Sequence, residues 1–238
     1  SSGLTSVVIP DSVTALGTGA FYNAKALTSV QLSSGIKVIE TATFKGCDKL
    51  VNIVLPGSVQ VVRSDAFAGC SALETVELTS VSEIANYAFQ NCVAIKEINL
   101  PATLEAVDAL SFYGCESLVK INVADGNKKY KSVDGVVLTL GEGDKPVFDT
   151  LSIYPAGKEG KYTVAEDVKF VADRAFYNCD KLTEINFIEG FVRIGNEAFF
   201  DCDSIEFVLV PESTDSIGDY AFASCDALRE FHVLTNLT

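Results

Sequence analysis

Apolar side chains recur along the chain in one fixed frame that is anchored by phenylalanine. The anchors are 22 or 23 residues apart except for one interval of 64, at Phe21, Phe44, Phe67, Phe89, Phe112, Phe176, Phe199 and Phe222. Leucine or isoleucine follows each anchor by six residues, and apolar pairs such as Ile53/Leu55 follow at nine and eleven. That pair spacing has period two and predicts a short strand with one buried face. A repeat of this length predicts units that stack on one another.

A second aliphatic column lies five residues before each anchor, from Leu16 to Ile217, so each repeat is expected to bury two sides. Three residues before most anchors stands a hydrogen-bond acceptor such as Ser64 or Asp173, and only Ala109 breaks this column. Glycine or asparagine often stands two residues after the anchor, where a left-handed conformation would end a helical turn. The pattern therefore predicts one capped helical turn around each phenylalanine.

The 64-residue interval between Phe112 and Phe176 predicts an insertion. Two turn signals, Asp134-Gly135 and Gly141-Glu142-Gly143-Asp144, are flanked by β-prone runs and indicate a β-hairpin. Either the insertion is a variant coil that keeps the sheet continuous, or it is a protrusion that grips a ligand; loop statistics favour the variant coil. We predict N-terminal repeats over 1–123, the hairpin insertion over 124–161 and C-terminal repeats over 162–238.

The frame A-F-x-x-C-x-x-L-x-x-[IV]-x-L-P-x-x-[VI]-x-x-[IL] resembles the BspA-like leucine-rich repeats of bacterial and protist surface proteins. The resemblance runs from Leu4 to Val233, and the segments Ser132-Val-Asp-Gly-Val136 and Tyr154-Pro-Ala-Gly-Lys158 match segments that family members carry. It implies a repeat solenoid: a right-handed, curved stack of parallel β-strands with short helical turns. It also implies an extracellular or cell-surface location and adhesion to host or microbial surface proteins.

Seven cysteines share one repeat position, three residues after the anchor, and Ala24 fills the eighth. Alanine at this position indicates a small buried slot, and free cysteine packs as a small apolar residue. Disulfides fit poorly, because stacked equivalents point the same way about 4.8 Å apart. Zinc also fits poorly, since its four ligands must surround one point. We therefore expect a structural thiol column at Cys47, Cys70, Cys92, Cys115, Cys179, Cys202 and Cys225.

The chain is acidic, with a formal net charge of −14, which would repel nucleic-acid phosphates and anionic lipids. No run reaches the roughly 18 apolar residues of a membrane-spanning helix. We therefore expect neither nucleic-acid binding nor membrane insertion of this segment. Methionine is absent even at position 1, so we expect a mature or excised part of a longer protein.

Catalytic and metal motifs are not found in the sequence. It has no phosphate-binding loop, dinucleotide fingerprint or zincin motif, and its one histidine, His232, is predicted to be exposed on the last strand. The acidic column Asp48, Asp180, Asp203 and Asp226 would be either a calcium ladder or a solvated turn face, and the lack of an EF-hand loop favours the turn face. The sequon Asn236-Leu237-Thr238 is compatible with chance. We expect no enzyme activity, cofactor or bound metal.

The outward positions of the predicted strands form the candidate binding face on the concave side of the solenoid. We expect a protein partner there, with a glycan-binding module or a rigid spacer as alternatives. Glycan binding would favour stacking aromatics, and apart from Phe207 these rows are nearly free of aromatics, which counts against a glycan-binding module. Phe207 and Leu209, near Phe200, form a candidate apolar contact patch. The predicted binding residues are Gln31, Asn52, Glu77, Glu97, Asn99, Lys120, Asn122, Glu184, Asn186, Phe207 and Leu209.

Overall fold

The computed structural model describes residues 3–141 and 147–234, with the backbone alone at Leu234. Over these ranges the chain forms twenty β-strands and one 3₁₀ helix, Ala109–Phe112. The chain divides into two compact units, residues 1–129 (unit 1) and 130–238 (unit 2). The predicted turn residues Glu142 to Asp144 and the sequon at Asn236 lie outside the described residues.

Unit 1 alternates longer strands with two-residue strands, one of each in most repeats. All pairings are parallel: β1 with β2, β4 with β6, β8 with β10, and the four short strands in the order β3-β5-β7-β9. Pairing joins equivalent positions of neighbouring repeats, such as Ile98 with Ile121. The strands are β1 Ser6–Val8, β2 Ser29–Gln31, β3 Val38–Ile39, β4 Asn52–Val54, β5 Val61–Val62, β6 Thr75–Glu77, β7 Glu83–Ile84, β8 Glu97–Leu100, β9 Ala106–Val107 and β10 Lys120–Val123.

Unit 2 contains two larger sheets, with orders β11-β12-β13-β15-β17-β19 and β14-β16-β18-β20. The second sheet is parallel throughout, and its equivalents pair in register, as Ile185 with Val208. The strands are β11 Tyr130–Val133, β12 Val136–Thr139, β13 Thr150–Ile153, β14 Gly160–Thr163, β15 Phe170–Val171, β16 Leu182–Asn186, β17 Arg193–Ile194, β18 Phe207–Pro211, β19 Ser216–Ile217 and β20 Glu230–Leu234. The predicted repeat solenoid of parallel strands is confirmed in both units.

The insertion forms the predicted hairpin. β11 and β12 are antiparallel and joined by Asp134 and Gly135, whose φ values of 51° and 79° suit a tight hairpin turn. β12 also pairs with β13, which then joins β15 in parallel through Leu151 and Val171. The insertion therefore extends the short-strand sheet of unit 2, as the variant-coil interpretation expects.

The anchor phenylalanines form a continuous ring stack in each unit. Ring centroids from Phe21 to Phe112 are 5.3 to 5.6 Å apart, with neighbouring planes within 11°. In unit 2 the stack begins with Tyr154, 4.6 Å from Phe176, and continues to Phe222. The spacing is close to the roughly 4.8 Å between paired strands, as expected for repeats stacked in register. Sequence reasoning missed Tyr154, although it stands 22 residues before Phe176.

The turns around the anchors differ from the predicted helical turns. In most repeats the residues two before and two after the anchor are both left-handed, as at Ala42 (φ 55°) and Gly46 (φ 73°). The anchor amide then bonds to the next repeat, from Phe44 N to the Ala66 carbonyl at 2.8 Å. Inter-repeat bonding thus satisfies amides that a helix start would leave open. A 3₁₀ helix forms where Asp108 accepts a bond from the Leu110 amide at 2.8 Å.

The acceptor side chains three residues before the anchors form hydrogen bonds to the neighbouring repeat. Asp173 accepts from the backbone amide of Asn196 at 2.7 Å, and Asn196 accepts from that of Asp219 at 2.8 Å. These side chains therefore cap the neighbouring repeat and not their own turn. The second aliphatic column is buried in the repeats from Ile39 to Ile84 and at Val171 and Ile194, whereas Ile217 is 45% exposed, in the last described repeat.

Candidate functional site: the strand face

In each unit the outward side chains of the longer strands form a strand face, and the predicted binding residues lie on these two faces. On β8 and β10, Ile98 and Ile121 are buried in the core, whereas Glu97, Asn99 and Lys120 between and beside them are exposed. The alternation follows from the period-two geometry of a strand. The predicted residues of unit 1 are exposed, apart from the half-buried Asn122.

Side-chain hydrogen bonds join neighbouring repeats across the strand face of unit 1. The Asn122 amide donates to the Asn99 side-chain oxygen at 2.9 Å, and the Thr75 hydroxyl donates to that of Asn52 at 2.9 Å. A primary amide has two donor hydrogens and two acceptor lone pairs, so one such bond leaves capacity for a partner. The face therefore presents oriented hydrogen-bonding groups on a fixed backbone.

In unit 2 a larger share of the outward strand positions is charged, and more of these positions are half-buried. Glu184 is half-buried and forms an ion pair with Lys161, and it accepts a bond from the Asn186 amide at 2.8 Å. The bonds from Lys161 and Asn186 hold the pKa of Glu184 below its ordinary value. Sequence reasoning missed Lys161 and Thr163 of β14, although Tyr162 between them falls in the frame. The register of Tyr162 would have placed both neighbours on this face.

Phe207 and Leu209 lie on β18, between β16 and β20, and both are half-buried. The Phe207 ring lies 5.3 Å from the His232 ring, which is exposed as predicted and lies 3.0 Å from a Glu230 carboxylate oxygen. Phe200 stacks on Tyr177 at 5.0 Å. The role of Phe207 and Leu209 as a contact patch stays a prediction.

The predicted thiol column is confirmed. Six of the seven free cysteines are buried, and Cys225 is half-buried. Each thiol points to the backbone carbonyl of the aromatic anchor one repeat earlier, at 2.9 to 3.3 Å in six repeats and at 3.9 Å from Cys179 to Tyr154. Burial raises the pKa of Cys115 and of Cys225 to about 12, and those of Cys92 and Cys202 well above the ordinary value.

The acidic column after the cysteines lies on the turn surface. Asp48 is 3.5 Å from the Lys25 ammonium, Asp180 accepts a bond from the Asn178 amide at 3.1 Å, and Asp203 and Asp226 are exposed. Over the ranges that the structure describes, no three potential ligands among His, Cys, Asp and Glu are grouped to hold a metal ion. These carboxylates are thus solvated turn residues in the described structure.

The geometry and the repeat frame agree with a family comparison. The model of the BspA type leucine rich repeat region matches residues 1–119 and 159–238, in six copies. This chain belongs to that family. The family model omits residues 120–158, which contain most of the hairpin insertion. The part of the chain that departs from the repeat pattern in the structure is therefore also the part that the family model does not match.

Solved structures share the BspA-type fold. The pneumococcal vaccine antigen PcpA is 20% identical with a TM-score of 0.76, covering 98% of this chain and 63% of that one. A leucine rich cell surface protein of Faecalibacterium prausnitzii is 22% identical with a TM-score of 0.65, covering 98% and 80%. A leucine-rich repeat protein of Eubacterium ventriosum is 23% identical with a TM-score of 0.68, covering 98% and 66%. The chain thus spans less than two thirds of the PcpA structure.

A comparison with curated proteins finds no match. No helix in the described part of the chain has the length and apolarity to cross a membrane.

Proposed function

We propose that this BspA-type protein is a non-catalytic module of the cell surface or extracellular space that binds a protein partner through its strand face. The observation that carries the proposal is the set of exposed hydrogen-bonding side chains on β2, β4, β8 and β10. Their strands are fixed by core residues on the opposite side, so the face is ordered before it meets a partner. Such pre-organisation lowers the entropic cost of binding.

The N-terminal part of this face, on strands β1, β2 and β4, is the best candidate for the centre of contact. Its outward positions are uncharged in a chain of net charge −14, and they include Val8 and Val54, which are 66% and 55% exposed. Gln31, Asn52 and Val54 line an open groove of about 430 Å³. Protein interfaces have few charges at their centre and a polar rim, so Glu77, Glu97 and Lys120 would lie at the rim.

A cell-surface location is supported by the solved relative named as a cell surface protein. The buried thiols also suit such a location, since thiols away from solvent are protected from oxidation and exchange. The same burial supports a non-catalytic role. Reactive cysteines need a low pKa and access to solvent, whereas burial raises the pKa of Cys92, Cys115 and Cys202. The bond with the Cys70 thiol lowers the pKa of Cys47, but Cys47 is buried.

The experiment compares protein retention from solubilised cell-surface fractions by three immobilised forms of the chain. They are wild type, the strand-face variant Gln31→Ala/Asn99→Ala/Asn122→Ala, and the turn-side control Lys49→Ala/Val93→Ala/Glu116→Ala. We expect at least one protein that wild type and control retain and the strand-face variant loses. Its purified form should then bind the strand-face variant at least about tenfold more weakly, as for interface side chains worth 1.4 kcal/mol together. Equal retention by all three forms contradicts the proposal.

A further inference from the structure

A groove lies on the outward face of the short-strand sheet of unit 2, a different sheet from the one that forms the strand face. Its volume is about 730 Å³, within the range of sites that hold small ligands. Strand pairing places one residue from each of five strands in a single row across the sheet. We call it the groove row, and all its residues line the groove: Thr139, Thr150, Phe170, Arg193 and Ser216. With strands about 4.8 Å apart, the row is about 19 Å long.

Arg193 is held in the middle of the groove by an aromatic ring. Its guanidinium lies 5.5 Å from the ring centroid of Phe170, the residue that it pairs with on β15. The next residue on each strand, Val171 or Ile194, is buried and fixes the backbone beneath the pair. A planar guanidinium stacks well on a ring, and a side chain that is already positioned loses less entropy when it binds a ligand.

The donors of this guanidinium are free. Within the described structure no carboxylate lies within ion-pair distance of Arg193, whereas Arg63 and Arg174 pair with Glu83 and Glu197. A guanidinium offers five N–H donors in a planar fork, which matches the two oxygens of a carboxylate. Arg193 therefore indicates a ligand that carries a carboxylate.

The remaining lining of the groove indicates that the ligand also carries hydroxyl groups. The Ser216 hydroxyl donates to Asp215 at 2.7 Å and the Thr150 hydroxyl to Asp149 at 3.1 Å, so each hydroxyl oxygen keeps acceptor capacity. The carboxylates of Asp173 and Asp215, which also line the groove, can accept from ligand hydroxyls. A bare anion would be repelled by these two carboxylates and by the net charge of −14, whereas a sugar acid offers them donors.

The sheet topology disfavours an extended peptide in this groove. β13, β15 and β17 each have a paired neighbour on both sides, so their backbone groups are already bonded. A peptide that binds as an added strand requires an open sheet edge, and only side chains are available here. The equivalent row of unit 1 has neither arginine nor ring nor hydroxyl, since it consists of Val38, Val61, Glu83 and Ala106. The chemistry of the groove is therefore particular to unit 2.

We propose that this groove binds an acidic sugar, a uronic or sialic acid unit of a glycan. The sugar carboxylate pairs with the Arg193 guanidinium, and sugar hydroxyls bond to Ser216, Thr150 and Asp215. Phe170 is a positioning residue that acts through Arg193. The site goes beyond the proposed function and would stand if binding of a protein to the strand face failed.

The test uses NMR on the isotope-labelled full chain, because its side-chain Nε–H signals come from four arginines only: Arg63, Arg174, Arg193 and Arg229. Loss of one signal in Arg193→Lys assigns the signal of interest. Sialyllactose and tri-galacturonate are the two acidic probes, lactose is the neutral control, and tetra-glutamate tests an acidic peptide. We expect at least one acidic sugar to shift the Arg193 signal, and lactose and tetra-glutamate to bind at least about tenfold more weakly, as for loss of a charge-assisted bond pair.

Variants of the groove row separate recognition from general charge effects, with affinities taken from backbone amide shifts. Arg193→Ala should weaken binding of the acidic sugar at least about tenfold, and Arg193→Lys about threefold or more, because lysine keeps the charge without the planar fork. Phe170→Leu should weaken it about two- to threefold, and no further in the Arg193→Ala background. Arg63→Ala, at an exposed arginine of unit 1, is the matched control and should change affinity less than twofold.

Four outcomes would overturn the proposal. They are no shift of the Arg193 signal with either acidic sugar, equal affinity for lactose, equal affinity for tetra-glutamate, and an equal loss in Arg63→Ala and Arg193→Ala. Because Arg193 is exposed, both of its variants should keep the wild-type melting temperature, and Arg193→Lys gives a second measurement should Arg193→Ala fail to fold.

Discussion

The thiol of Cys70 lies 3.1 Å from the carbonyl oxygen of Phe44, one repeat earlier in the chain. The same carbonyl accepts a bond from the Cys47 amide, also at 3.1 Å, three residues later in its own repeat. The two residues that mark the repeat frame are therefore joined within and between repeats. A carbonyl has two lone pairs, and the cysteine position supplies a donor for each. The three-residue spacing of Phe and Cys is the spacing that this arrangement requires.

Removing one buried thiol should cost a modest amount of stability. Cys92→Ala leaves a small cavity and removes a weak bond to Phe67, so we expect a loss of about 1 kcal/mol in the free energy of unfolding. Cys92→Val should cost about 1 to 3 kcal/mol, because the slot has no room for a branched side chain. Urea denaturation measures both. The half-buried Cys225→Ala is the control, with a smaller loss, and an unchanged midpoint for Cys92→Ala would contradict a packed column.

We expect thiol labelling of the native protein to be slow, with a rate that depends on pH. We expect Cys225 to react first in the native protein, because it is half-buried, and the buried cysteines to react on unfolding. Since burial raises the pKa of Cys225 to about 12, its labelling rate should rise with pH through the range where ordinary thiols level off, above 9.0. Mass spectrometry of labelled peptides identifies the site. Rapid labelling of several cysteines at neutral pH would be incompatible with the buried column.

Stability should fall in alkali for the same reason. The folded state holds the protons of Cys115 and Cys225 up to a pKa of about 12, whereas an ordinary thiol loses its proton near 9.0. This stabilisation is complete below pH 9 and is lost as the pH rises toward 12. Urea midpoints measured from pH 8 to pH 11 should decrease. For Cys115→Ala the decrease should be smaller, and an equal decrease would assign it to other groups.

Two glycines at equivalent positions should differ in their tolerance of alanine. Both have positive φ, 69° at Gly114 and 72° at Gly69, so alanine is strained at each. A Cβ at Gly114 would overlap the Asn91 side-chain oxygen, whereas at Gly69 the nearest atoms are 3.8 Å away. We expect Gly114→Ala to lose about 1 kcal/mol more than Gly69→Ala in urea denaturation. Equal losses would show that Asn91 moves without cost.

Tyr154 should behave as a member of the ring stack of unit 2. Tyr154→Phe keeps the ring and should change the free energy of unfolding by less than about 0.5 kcal/mol, whereas Tyr154→Ala should cost about 3 to 5 kcal/mol. Thermal melting followed by circular dichroism measures both variants. Val133→Ala, at an exposed position of the same unit, is the control. A severe loss in Tyr154→Phe would mean that the hydroxyl and not the ring is required.

The repeat fold was predictable because the same spacing fixes the same contacts eight times over. Phe67, Cys70 and Ile53 were placed correctly from their positions in the frame. Tyr154 escaped because the insertion hides its interval and tyrosine replaces the anchor. The left-handed Ala42 and Tyr87 escaped because such residues rarely adopt that conformation, and inter-repeat hydrogen bonds offset their strain.

The strand face was predictable as a list of outward positions but not as a set of contacts. The alternation of apolar and polar residues along each strand predicted that Asn99 and Asn122 point outward. The hydrogen bond between them depends on the register of β8 against β10, which the alternation does not fix. Lys161 was missed because the insertion interrupts the frame just before it. The stacking of Tyr177 on Phe200 was not predictable either, because it depends on the register between two neighbouring repeats.

Anomalous diffraction from native sulfur tests the stacking of repeats most directly, because the chain has seven cysteines and no methionine. Every sulfur peak then belongs to a cysteine. We expect separate peaks, each near the backbone carbonyl of the aromatic residue one repeat earlier, as Cys202 lies 2.9 Å from that of Phe176. Peaks merged into bonded pairs about 2.05 Å apart, or gathered around one ion, would contradict the account.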